Sequence, residues 1–183
     1  MSDNLYHTLS DNDNPDYIER NGPFKCEHEK AWLGHGYYFW EDYINNAHWW
    51  GNSSYNGNFV ICHAVSEYDH DNCLDLTDKT NLDDLKNIVT HLYSRELAHG
   101  SLTFPEILEK LKAKGIYTQK IIKIRSEYTK KFDSSTAIKF NSGKPQFIDL
   151  EPPIQICFFD KPSIKITQFK IVYPPKYADG YVA

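Results

Sequence analysis

Two aromatic residues eleven positions apart, Tyr38 and Trp49, are the first in this chain whose setting points to chemistry. Tyr38 lies in Gly34-His35-Gly36-Tyr37-Tyr38-Phe39-Trp40, and Trp49 follows Asn45-Asn46-Ala47-His48. Two such rings can enclose one planar cation, because an aromatic face attracts positive charge. Gly34 and Gly36 let the backbone approach a ligand closely. Roughly thirty residues earlier, His7 ends the stretch Leu5-Tyr6-His7, where a neutral imidazole can bond a hydroxyl. Taken singly, a strand histidine or a core Tyr or Trp is ordinary packing; their order and spacing together point to a site. Other groupings are weaker. Cys26-Glu27-His28, and Cys62-His63 with His70 and Cys73, contain metal-ligand types without a standard zinc spacing, so no metal is expected. The four cysteines form no Cys-x-x-Cys and read as free thiols.

A strand-ending His, a Gly-x-Gly-x-Tyr-Phe strand entry and a helix opening at Asn45-Asn46 resemble the NAD-binding half of the ADP-ribosyltransferases. The likeness is to the diphtheria-toxin and poly(ADP-ribose) polymerase branch, with its His-Tyr-Glu triad. It covers roughly residues 5–50 and 154–173. It implies that His7 grips a ribose hydroxyl, that Tyr38 and Trp49 sandwich the nicotinamide, and that Asn46 bonds its carboxamide. Thr8 and Gly36 would complete the cofactor pocket; the family usually has Gly where Thr8 stands. The third triad member would open a late strand, and that position in Gln155-Ile156-Cys157-Phe158-Phe159-Asp160 is Gln155. Glu would stabilise the oxocarbenium-like transition state with full charge, whereas Gln offers a dipole. Gln155 is therefore natural in a member activated otherwise, a replaced Glu, or backed by Glu151 or Glu127. The implied catalytic set is His7, Tyr38 and Gln155, with NAD as substrate.

The elements that must position these residues are predicted as follows. Leu5–Thr8 is a short strand, Asp16–Arg20 one helical turn, Gly36–Trp40 a strand and Glu41–Trp50 a helix ended by Gly51. Asn58–Val65 is a strong central strand and Asn72–Leu76 a short one. A helix follows to about Leu97, with Leu82, Leu85, Val89, Leu92 and Tyr93 on one face. Phe104–Lys114 is a helix with Pro105 in its first turn. Lys120–Arg125, Ile154–Phe159 and Ile164–Val172 are strands, and the tail from Pro174 is a loose end. This order gives one α+β domain over 1–183, with mainly antiparallel strands. The resemblance sharpens it to split antiparallel sheets with flanking helices.

The chain has 183 residues and a net charge of −5, divided unevenly. Residues 1–100 hold 17 Asp/Glu and 6 Lys/Arg, net −11; residues 101–183 hold 8 and 14, net +6. The segment 126–150, which in this family meets the acceptor, carries Lys130, Lys131 and Lys139 among aromatics, a pattern that suits a nucleic-acid strand. With no run of 18 apolar residues and a polar, acidic start, a cytoplasmic protein without a membrane span or leader is expected. The resemblance therefore implies an enzyme moving ADP-ribose from NAD to nucleic acid or protein. It would be an intracellular toxin or defence effector, with an antitoxin as a possible partner. A non-catalytic NAD or ADP-ribose binding module and an NAD glycohydrolase are the alternatives.

Overall fold

A computed structural model describes residues 2–96, 102–126, 137–141 and 146–178. The strands are β1 (Asp3–Ser10), β2 (Tyr37–Glu41), β3 (Phe59–Ser66), β4 (Cys73–Asp75), β5 (Ile121–Arg125), β6 (Ala137–Asn141), β7 (Gln146–Asp149), β8 (Ile154–Phe158) and β9 (Ile166–Tyr173). The helices are α1 (Pro15–Asn21), α2 (Ile44–Tyr55), α3 (Lys79–Glu96), α4 (Phe104–Ala113) and α5 (Pro175–Ala178). Seven strands form one sheet in the order β4-β5-β8-β2-β1-β3-β9, and β6 and β7 form a separate hairpin. Only the β4–β5 pair is parallel among the described pairs. The fold class is α+β, as expected.

The seam between β1 and β2 organises the molecule. These strands pair only at Leu5↔Glu41 and Tyr6↔Trp40, whereas β1 pairs with β3 along its whole length. Beyond the seam the two strands diverge, leaving a wedge between the subsheets β4-β5-β8-β2 and β1-β3-β9. The middle of the sheet is therefore joined by two residue pairs and, beyond Leu5↔Glu41, by the Asp42 N–H donating to the Asn4 carbonyl at 2.9 Å; it opens on the His7 side.

Strand alternation sorts the side chains onto two faces. Leu5, Phe39, Ile156, Phe158, Ile121 and Ala64 share one buried cluster, roofed by Tyr68 and Ile164. On the same face α1 sets Ile18 against Val60, Cys62 and Ile171. The other face carries two separate clusters. Trp40, Phe59 and Ile61 pack beneath α2 through Ala47. Leu74, Ile122 and Cys157 pack beneath α4 through Leu108, and α3 leans on α4 through Leu85, Ile88 and Val89. Thr103 and Glu106 form a reciprocal cap at the start of α4.

Several boundaries differ from expectation for identifiable reasons. Glu41 ends β2, where its carboxylate meets the Lys123 ammonium at 2.7 Å, and Asp42 turns the chain with φ 60°, so α2 starts only at Ile44. Gly51 does not end α2. It is buried inside the helix, where any Cβ would overlap the Phe59 ring, and the helix ends at Asn56 in the left-handed region. Leu82, expected on the apolar face of α3, is exposed; the side chains of Leu92 and Tyr93 lie outside the described residues. Through Ala178 the tail is docked rather than loose: Tyr177 Oη donates to Asp11 (3.2 Å) and Asp13 (2.9 Å), and Lys176 meets Asp11 at 3.2 Å. No described helix is long and apolar enough to cross a membrane.

Candidate functional site

His7 sits where the seam opens. Its Nδ1–H donates to the Tyr38 carbonyl at 2.8 Å, and its Nε2 accepts from the Phe24 N–H at 3.3 Å. An acceptor at Nδ1 and a donor at Nε2 require the neutral, Nδ1-protonated ring. Burial pushes its pKa from 6.5 down to about 4, only partly opposed by the bond to Tyr38. The imidazole thus takes the place of a missing ladder bond, joining the diverging strands. Its ring packs beside Phe39 (5.2 Å between centroids) and Phe169 (6.4 Å).

Tyr38 precedes Phe39 in β2 and so points to the opposite face. Its hydroxyl donates to the Gly34 carbonyl at 2.6 Å and accepts from the Leu33 N–H at 3.1 Å. Burial, with the Cys157 thiol beside it, raises the phenol pKa well above its ordinary value. These two bonds clip the loop before β2 into a tight turn, with Gly34 at φ 94°. Gly36 passes so close to β8 that a Cβ would overlap the Cys157 sulfur and stand 2.8 Å from the Phe158 carbonyl oxygen. Gly36→Ala should therefore destabilise the protein by about 1–3 kcal/mol, since backbone and a buried neighbour would both have to move. Urea midpoints of the two proteins measure this; equal midpoints would show that β8 yields freely.

Gln155 pairs with Trp40 across β8 and β2, which places it on the Tyr38 face. It is 6% exposed, and its Oε1 accepts from the Trp32 indole N–H at 2.6 Å. An indole only donates, so the amide orientation is fixed by chemistry: oxygen toward Trp32, with the NH2 group as the remaining polar end. Thr8 also faces this side, with its hydroxyl 3.3 Å from the Ala47 carbonyl of α2.

The first turn of α2 grips the chain just ahead of Gln155. Asn45 Nδ2 donates to both Glu151 carboxylate oxygens, at 3.2 and 3.0 Å, and Asn46 Nδ2 donates to the Pro152 carbonyl at 3.3 Å. Asn46 is 0% exposed, and its Oδ1 is buried without a hydrogen-bond partner. The Trp49 ring meets Trp40 edge-on at 6.2 Å between centroids.

Tyr38, Gln155 and Thr8 therefore share one face of the sheet, with Asn46 and Trp49 in the helix above it. His7 joins them through the Tyr38 backbone while its ring packs with Phe39 and Phe169. The rings of Tyr38 and Trp49 belong to different packing clusters, one under α4 and one under α2. Lys130, Lys131 and Glu127 lie outside the described residues, as does the side chain of Lys139. Among the described residues, no group of His, Cys, Asp and Glu could hold a metal ion.

Trp32 was not among the residues singled out from the sequence. It stands alone in the polar run Glu27-His28-Glu29-Lys30-Ala31-Trp32, and an isolated large aromatic in such a run is the signal that could have marked it. It bonds Gln155 on one side and lines a groove of about 1000 Å³ against α4 on the other. No family model, curated protein or solved structure matches this chain.

Proposed function

We propose that this protein binds NAD at the open seam and transfers ADP-ribose from it to a macromolecular acceptor. The observation carrying this reading is the His7–Tyr38 bond across the seam, which sets a neutral imidazole where the β1–β2 ladder stops. A ribose hydroxyl would replace the long Phe24 bond at Nε2. The nicotinamide would lie between the Tyr38 ring and α2, with Trp49 turning from Trp40 to close over it. Its carboxamide NH2 would satisfy the orphaned Asn46 oxygen once the first turn of α2 shifts. A cleft of this kind holds the glycosidic bond in a fixed orientation, which is where such catalysis gains most.

A second reading, a binding module for NAD or ADP-ribose, is favoured by Gln155. With its oxygen held by Trp32, it offers a donor where developing positive charge would need an acceptor. Incubation with NAD labelled in the adenylate, alone and with cell lysate, separates the readings. Label on macromolecules, then released by protease or by nuclease, supports transfer and names the acceptor class. Free ADP-ribose alone indicates a glycohydrolase. Saturable binding of NAD or ADP-ribose without turnover supports the module, and binding of neither removes all three. A cytoplasmic toxin or defence role, with an antitoxin partner, belongs to the transferase reading.

A further inference from the structure

The groove beside Trp32 has its own chemistry. Its aromatic walls are Trp32, Phe104 and Phe159. Trp32 and Phe104 lie within 30° of parallel, their centroids 6.5 Å apart. Lys112 of α4 sets its ammonium 3.7 Å from the centre of the Phe159 ring, so a cation already rests on one aromatic face. The groove lining carries three carboxylates, Glu29, Glu106 and Glu109, against the ammonium groups of Lys30 and Lys112. Glu106 is taken up by the α4 cap, with its carboxylate bonded by the Thr103 N–H at 2.7 Å. Glu29 and Glu109 remain to meet a ligand, and Glu109 is only loosely paired with Lys112, at 3.7 Å.

We propose that this groove receives an arginine side chain from a partner protein. A guanidinium is planar and weakly hydrated, stacks on aromatic faces and forks onto a carboxylate. The stacked Trp32 and Phe104 rings and the carboxylates of Glu29 and Glu109 supply both kinds of contact. A nucleic-acid strand would bring phosphates toward those same carboxylates, which like-charge repulsion opposes. Lys112 is then a resident competitor: its ammonium holds the Phe159 face until the guanidinium displaces it. Trp32 also bonds Gln155, so an occupied groove touches one residue of the candidate site directly. The inference concerns the groove alone and holds whether or not NAD is cleaved.

The test is NMR titration of the Trp32 indole N–H resonance, identified with a Trp32→Phe variant, in the absence of NAD. The probes are N-acetyl-arginine methylamide, its neutral citrulline counterpart, and AMP. The arginine compound should shift the resonance saturably, with citrulline binding about tenfold more weakly because it lacks the charge. Lys112→Met keeps the helix and the apolar stem, and should tighten arginine binding severalfold by removing the competitor. Glu29→Gln with Glu109→Gln should weaken it about tenfold. Three outcomes overturn the proposal: no saturable shift with the arginine compound, equal binding of citrulline, or AMP binding that Lys112→Met weakens. The last would make Lys112 a phosphate ligand.

Discussion

Gln155→Glu should raise NAD cleavage by about tenfold or more. The new carboxylate would sit on the same face as Tyr38, and the Trp32 N–H that now bonds the amide oxygen would hold it in place. A charged acceptor stabilises developing positive charge far better than an amide dipole, and single stabilising groups of this kind are commonly worth about 10²–10³ in rate. The comparison is single-turnover nicotinamide release by the two proteins at saturating NAD. Adding Trp32→Phe to the Glu variant should return part of the gain, because the carboxylate then loses its orienting donor. A rate that is unchanged or lower with Glu would mean that Gln155 is itself the working residue or that the site lies elsewhere.

Acid should weaken the fold through His7. Its pKa is about 4 in the folded chain and near 6.5 when unfolded. The folded-state value is the lower one, so the unfolded chain binds more protons in between. The stability His7 contributes is complete above pH 6.5 and is lost as pH falls toward 4, for a total of about 3 kcal/mol. His7→Gln keeps a donor and an acceptor but cannot titrate. Urea unfolding at pH 7 and pH 4 should therefore show the native protein losing about 3 kcal/mol more than the variant over this interval. The carboxylates that bind Lys176 and Lys120 titrate alike in both proteins and cancel. Parallel losses would mean that the His7 ring is hydrated and the wedge is filled with water.

Local pattern made some of this legible. Pro105 in the first turn located α4 to within a residue, because the information lies in adjacent side chains. The glycine-led entry to β2 was readable for the same reason: Gly36 is set by the approach of β8 and shows as a missing side chain. Gly51 misled, since a glycine admitting the Phe59 ring looks identical in sequence to one that ends a helix. The β6–β7 hairpin was hidden in a Lys- and Ser-rich run. Its strands face each other at Ile138↔Ile148 with both side chains exposed, so burial left no alternating signature. The docked tail depended on Asp11 and Asp13, more than 160 positions away, which no local window contains. Within the candidate site, the residue types were visible, whereas the commitments of His7 to Tyr38 and of Gln155 to Trp32 are long-range bonds that only the fold creates.

The two-pair seam also has a mechanical meaning. Leu5↔Glu41 and Tyr6↔Trp40 form a living hinge between two stiff plates, one of four strands and one of three. Bending concentrates where a plate is thinnest, so thermal breathing of the whole domain should gather into one coordinate, the opening angle of the wedge. The imidazole of His7 is the strut that spans it. A small molecule lodged there would stiffen the protein globally from a single local contact, slowing amide exchange on both plates together.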